Sequence, residues 1–157
     1  MKDQEFFDRV ESVRKKLYAI AYPYFNSESM AVDAVDEAIY KGYLKKKQLK
    51  QPQFFETWLV RILMNVCNTK YKHYKKQVGI EELPEDASPS EIENLPLKEA
   101  LMKLPEKYRQ VILLKFFGGY TIVEIAELTE CPQGTVATRM RKALGLLRME
   151  LEEEEVA

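Results

Sequence analysis

From Tyr120 to Leu151 the chain reads YTIVEIAELTECPQGTVATRMRKALGLLRMEL, and no other stretch restricts the fold so tightly. Thr121 stands three residues before Glu124, the spacing of a capping box, in which each side chain satisfies a backbone N–H at the start of a helix. A short helix is therefore expected from Ile122 to Leu128, with Ile122, Ile125, Ala126 and Leu128 on its apolar face. The turn Thr-Glu-Cys-Pro ends it. Pro132, whose missing N–H is no loss in a first helical turn, opens a second helix reaching Leu151. Two helices joined by so short a turn meet at a steep angle, as in a helix-turn-helix.

On the second helix Val136, Met140, Ala143, Leu144, Leu147 and Leu151 have the spacing of a buried stripe, leaving Gln133, Thr138, Arg141, Lys142 and Arg148 on the other side. Such a helix has one face to seat it on a scaffold and another with long polar side chains that reach base edges and phosphates in a major groove. The stripe alone fits an amphipathic helix of any bundle. The capped short helix, the proline turn and the Gly-Thr-Val entry together favour nucleic-acid reading.

Nearly all of the remaining chain has apolar residues at helical spacings of three and four, so the expected class is all-α. A first helix is predicted from Asp3 to Ala21 with a break near Pro23. A second starts at Ser27 or Ser29, either a suitable N-cap, and runs to about Lys46. Gln51-Pro52-Gln53 interrupts the chain, because proline disfavours helix in the residue before it. The third is FFETWLVRILMNVCNTKYKHYKK. From Val78 to Pro96, three prolines, two serines and many acids replace the helical periodicity, which marks a linker. Helices from Leu97 to Met102 and from Pro105 to Phe117 precede the helix-turn-helix. The expected architecture is two small helical domains, 1–77 and 97–157, joined by a flexible acidic linker, 78–96.

Charge narrows the function classes. The formal net charge is −1, but ten Lys or Arg and one acid lie between Lys41 and Lys76, and seven acids and one base between Gln77 and Ala100. This segregation permits contact with a phosphate backbone, and charge runs are equally the solvated faces of an ordinary helical protein. The acidic linker is placed to compete with phosphate for the lysine-rich stretch. Cys67 and Cys131 lack metal-ligand spacing, and His73 is the single histidine, so no metal, cofactor or small-molecule substrate is expected. An enzyme would need a convergent set of acids, bases or ligands. No apolar stretch is long enough to span a membrane, and MKDQEFFDRV lacks a signal-peptide core, so a cytoplasmic protein is expected.

In the third helix Phe55, Trp58, Leu59, Ile62, Leu63 and Val66 are predicted to pack, while Arg61, Asn65, Asn68, Lys72 and Lys76 form a polar stripe. Tyr71 and Tyr74, interleaved with lysines, suit either base stacking or partial burial. In the second helix Asp33, Asp36 and Glu37, at i, i+3 and i+4, share one face.

With these motifs in place, the C-terminal segment LPEKYRQVILLKFFGGYTIVEIAELTECPQGTVATRMRKAL resembles the minus-35-reading domain of extracytoplasmic-function sigma factors of the sigma-70 family. The family pattern is a leucine-proline before an arginine-bearing apolar helix, then EIA, GTV and an arginine pair leading into alanine. The resemblance implies DNA contacts from Gln133, Thr138, Arg139, Arg141 and Lys142, with Ala137 standing where a basic residue is frequent. FETWLVRILMN is similar to the family's minus-ten-reading segment, and SMAVDAVDEAIYKGY to its polymerase-binding helix. Minus-ten contacts are then implied for Leu49, Lys50, Gln51, Arg61, Asn65, Asn68 and Lys72, and core-polymerase contacts for Asp33, Asp36 and Glu37. In the family, the loop Leu49 to Gln53 and the amide at Asn65 form a pocket for a base flipped from the non-template strand.

The implied function is promoter recognition and transcription initiation with core RNA polymerase. The lysine-rich sequence looks like sigma factors of Gram-positive envelope-stress systems. The family further implies an anti-sigma factor, often membrane-bound, that holds the protein at the inner face of the membrane. An autonomous helix-turn-helix regulator is the alternative. It leaves the N-terminal motifs unexplained and predicts tight operator binding without polymerase.

Overall fold

The computed structural model describes residues 1–78 and 95–156. Among these residues every regular element is helical. The chain divides into two compact units, Met1–Asp86 and Ala87–Ala157. The expected linker and its competition for the lysines lie almost wholly outside the described residues.

In the first unit α1 (Asp3–Phe25), α2 (Glu28–Leu44) and α3 (Phe55–Val78) pack pairwise as a three-helix bundle. Phe6, Val10, Val13, Leu17 and Ile20 recur at spacings of four and three along α1, and all are buried. Each fully buried Leu or Ile contributes about 1.5–3 kcal/mol through removed apolar surface, so this seam outweighs helix propensity. From α2 the buried Ala31, Ala34 and Ala38 let its backbone approach both neighbours. Gly42 continues that close approach: a Cβ there would lie 3.1 Å from Leu59 Cδ1 and 3.5 Å from the Trp58 ring.

The predicted break at Pro23 does not occur. In the last turn of α1 a proline forfeits one N–H bond, too little to stop the helix there. The stop is made by Asn26 in the left-handed conformation (φ 51°), whose N–H donates to the Tyr22 carbonyl at 3.0 Å. Ser27 then caps α2, its hydroxyl accepting the Met30 N–H at 3.2 Å. That helix ends at Leu44, short of the expected Lys46, and the chain enters a 3₁₀ turn at Lys46–Gln48.

In the second unit α4 (Leu95–Lys103), α5 (Glu106–Ile112) and α6 (Ile122–Thr129) each pack on the long α7 (Gln133–Val156). The arginine of LPEKYRQV folds inward. Arg109 is buried, and its Nη1 donates to the carbonyls of Met102 and Leu104, both at 3.3 Å. These carbonyls lie in the last turn of α4 and just past its end, where a helix supplies no further N–H donors, so the guanidinium acts as a C-cap brought from the next helix. α5 continues into a π turn, Leu113–Phe117. It closes on two glycines: a Cβ on Gly118 would stand 2.9 Å from the Tyr120 ring, and Gly119 has φ +74°.

The capping box forms as expected. Thr121 Oγ1 accepts the Glu124 N–H at 3.2 Å, and Glu124 Oε1 accepts the Thr121 N–H at 3.0 Å. α6 ends at Glu130, left-handed at φ 55°, and the Cys131 N–H returns to the Ala126 carbonyl at 3.0 Å. On α7 the buried stripe is narrower than predicted. Val136, Met140 and Ala143 are buried and Leu147 and Leu151 half-buried, but Leu144 is 42% exposed. One residue past Ala143, it is rotated by about 100° and falls beyond the edge of the packed face.

Candidate nucleic-acid and partner interfaces

Along the outer side of α7, Thr138, Arg141 and Lys142 are exposed, as is Gln133 at the helix's first position. No acid occurs between Pro132 and Glu150, so the positive end of the helix dipole and the side-chain charges act with the same sign. Arg141 Nη2 donates to Thr138 Oγ1 at 3.5 Å, a long bond that aligns the two. Arg139 behaves differently. It is half-buried and its Nη1 donates to Cys131 Sγ at 3.4 Å, turning the guanidinium back over the turn between the helices.

The polar stripe of α3 is also narrower than the sequence pattern suggests. Asn65 and Lys72 are exposed and Arg61 is half-buried, whereas Asn68, at 7% exposure, lies inside the bundle and so leaves the expected polar stripe. The reason is that α3 packs on both α1 and α2, so it is covered on two sides. Trp58 and Ile62, at the margin of the packed face, are half-buried, and Trp58, seven residues before Asn65, lies two turns from it on the same side. Tyr71 is buried against Tyr24, edge to face with centroids 6.3 Å apart, so packing and not stacking on a base is its role. Tyr74 is half-buried.

Before α3, the segment Leu49–Gln51 runs between the 3₁₀ turns Lys46–Gln48 and Pro52–Phe54 with extended backbone at Leu49 and Gln51. Lys50 and Gln51 are exposed and Leu49 is half-buried. Gln53 Nε2 donates to Gln51 Oε1 at 3.1 Å.

On α2 Asp33 and Asp36 are exposed and Glu37 half-buried. The three remain on one ridge, yet the outer two lean apart: Asp36 lies 3.9 Å from Arg14 of α1, and Glu37 3.6 Å from Lys70 of α3. The ridge continues into Tyr40 and Leu44, each 62% exposed, at helical spacings from Asp33, Asp36 and Glu37. Beside it, a cleft of about 430 Å³ between α1 and α2 is lined by Arg14, Tyr18, Val32, Val35 and Asp36. The sequence pattern singled out the acids of this ridge; its apolar extension had a signal in the spacing 33, 36, 40, 44 that the acid pattern hid.

Two family patterns match. Residues 9–77 match "Sigma-70 region 2" and residues 94–147 match "Sigma-70, region 4". The ECF RNA polymerase sigma factor SigW of Bacillus subtilis is 31% identical, over 95% of this chain and 90% of that protein. This chain belongs to the sigma-70 family, in its extracytoplasmic-function group. RNA polymerase sigma factor SigV of the same organism is 30% identical over 92% of this chain and 89% of its own length. Among solved structures, CnrH in complex with the cytosolic domain of CnrY shares the fold with a TM-score of 0.76 at 20% identity, covering 97% of this chain and 90% of that one. The sigma factor RpoE in complex with the anti-sigma factor NepR, from Bartonella quintana, gives 0.68 at 21% identity, covering 95% and 98%. In this sigma factor the ridge on α2, the segment Leu49–Gln51 and the outer strip of α3 all fall within the region 2 match, and the outer face of α7 falls within the region 4 match.

Proposed function

We propose that this chain is an alternative sigma factor that binds core RNA polymerase, recognises promoters and initiates transcription, without catalysing a reaction of its own. The reading rests on one observation above all: a region 2 and a region 4 occur in order in one chain, and each presents an exposed polar surface of the kind its role requires. We assign residues 1–77 to polymerase and minus-ten binding and 97–157 to minus-35 binding, joined by 78–96.

The roles divide by chemistry. Thr138, Arg141 and Lys142, with Gln133, enter the major groove of the minus-35 element, where arginine and lysine donate to guanine edges or phosphates. Arg139 supports that helix through Cys131. In the minus-ten element a base leaves the stack and enters a pocket made by Leu49, Lys50, Gln51 and Asn65, where the Asn65 amide meets its hydrogen-bonding edge. Trp58 lies on the same side of α3 to cover an exposed base face, and Arg61 and Lys72 bind the backbone. The ridge of Asp33, Asp36 and Glu37, extended by Tyr40 and Leu44, offers core polymerase an acidic and apolar surface. The protein acts in the cytoplasm in an envelope-stress response, under the control of an anti-sigma factor, as the structurally similar RpoE is bound by the anti-sigma factor NepR.

Run-off transcription by core polymerase and this chain on a randomised promoter library tests the reading. Asn65→Ala is expected to retain core-polymerase affinity, reduce open-complex formation and relax one minus-ten position. Unchanged transcription and base preference in that variant would refute the assignment.

A further inference from the structure

We propose that Asp3 and Arg9 of α1 are positioning residues for Leu49–Gln51, clasping that segment at both ends in the shape that receives a base. The proposal rests on reading the segment as part of the minus-ten pocket. It begins from which side chains reach the flanks of the segment. On the upstream flank the Lys46 ammonium is hydrogen-bonded to Asp3 Oδ1, and Tyr43 Oη donates to Asp3 Oδ2 at 3.0 Å. The same ammonium lies 4.1 Å from the centroid of the Tyr43 ring, against which Phe7 stacks at 5.7 Å. With its side chain only 15% exposed, Lys46 is withdrawn from the lysines around it and committed to α1.

On the downstream flank Arg9 Nη1 donates to the Pro52 carbonyl at 3.1 Å, while Glu5 holds the guanidinium through contacts of 3.2 and 3.3 Å. Phe6 lies between the flanks, edge-on to Tyr43 at 5.8 Å and to Phe55 at 5.6 Å. Thus the first turns of α1 touch the end of α2, both 3₁₀ turns and the start of α3. Leu49, Lys50 and Gln51 have no regular secondary structure of their own, and a free three-residue segment would lose conformational entropy on receiving a base. Clasps at both ends place that loss in folding, so selectivity is prepared before DNA arrives. Asp3 and Arg9 touch neither base nor phosphate in this scheme.

Two measurements on the full chain test it. In native-state hydrogen exchange, Asp3→Asn and Arg9→Gln are each expected to raise exchange of the amides around Leu49–Gln51 by about five-fold, the scale of one hydrogen bond. Helix amides of α1 and α3 should be unchanged. In transcription with core polymerase, both variants should lose a similar factor of discrimination at the base read by this segment while keeping wild-type polymerase affinity. Arg9→Lys, and the exchanged pair Asp3→Lys with Lys46→Asp, should restore it. Gln51→Ala separates the two levels of the reading. If Gln51→Ala relaxes base preference and the α1 variants do not, the positioning role is overturned and the pocket stands. If none of the variants alters preference, the pocket assignment falls and the positioning role with it. Unchanged loop exchange in both α1 variants overturns the clasps irrespective of DNA.

Discussion

Replacing Arg109 with methionine tests whether the buried guanidinium of region 4 is a helix cap or a DNA contact. Methionine fills similar space without a hydrogen-bond donor. Exchanging a buried ionic group for an apolar one is often neutral when all its partners are replaced together. Here the partners include the backbone carbonyls of Met102 and Leu104, both 3.3 Å from Nη1, and these stay behind. A buried carbonyl left without a donor costs about 1–3 kcal/mol. Two of them, less the gain from an apolar side chain, give a loss of about 2–4 kcal/mol. For a unit of this size each kcal/mol moves the melting temperature by about 4–8 °C. Circular-dichroism melting of the full chain should therefore show a transition lowered by roughly 10–25 °C. Arg109→Lys, which can satisfy one carbonyl, should fall between. A melting temperature unchanged by Arg109→Met, with weaker promoter binding and a flatter salt dependence, would refute the cap and mark Arg109 as a phosphate contact.

Three further outcomes are expected. Arg141→Ala and Lys142→Ala should each weaken holoenzyme binding to the minus-35 element: by about 1–3 kcal/mol with relaxed preference at one position for a base contact, or uniformly and with a smaller salt slope for a phosphate contact. Wild-type affinity and slope in both would show the wrong face was chosen. Burial pushes the Cys67 thiol up to about 12, so a native thiol titration near neutral pH should modify Cys131 first and Cys67 only on unfolding; equal rates would contradict the burial of α3. The hydrogen bond from Lys46, and then that from Tyr43, hold the Asp3 carboxyl below the ordinary carboxylate range. A depressed carboxylate contributes stability that is present near neutrality and lost as acid protonates it. In a carboxyl NMR titration, Lys46→Met should move the Asp3 midpoint upward, and an unmoved midpoint would deny the clasp.

The readable parts of the sequence were those where one local rule sufficed. Thr121 and Glu124 announce their helix start because a capping box is contained within four residues, and Pro132 announces the next for the same reason. Where two neighbours compete for one helix, periodicity misleads. Asn68 follows Asn65 by three and reads as part of a polar stripe, yet α3 is covered on two sides and Asn68 is buried; Trp58 reads as core and packs only at its margin, half-buried. Leu144 looks like a stripe residue because the pattern does not state how wide the contact is. The inward turn of Arg109 and the left-handed Glu130 left no local mark, since arginine at the surface and glutamate in a helix are the ordinary expectations. The π turn keeps the apolar pattern of an α-helix and differs only in which carbonyl each N–H meets. The candidate DNA face of α7 was legible as a set of residue types. That Arg139 turns back to Cys131 became visible only when the turn between the helices was in place.

The most direct test of the account is a mobility-shift titration of a promoter fragment selected from the transcription library, at one fixed salt concentration, with the full chain alone, core polymerase alone and the two together. A sigma factor lends specificity to polymerase, so sequence-specific binding is expected only from the reconstituted holoenzyme, with the free chain showing weak binding that does not distinguish promoter from control DNA. Tight, promoter-specific binding by the full chain without polymerase would contradict the account and favour an autonomous regulator.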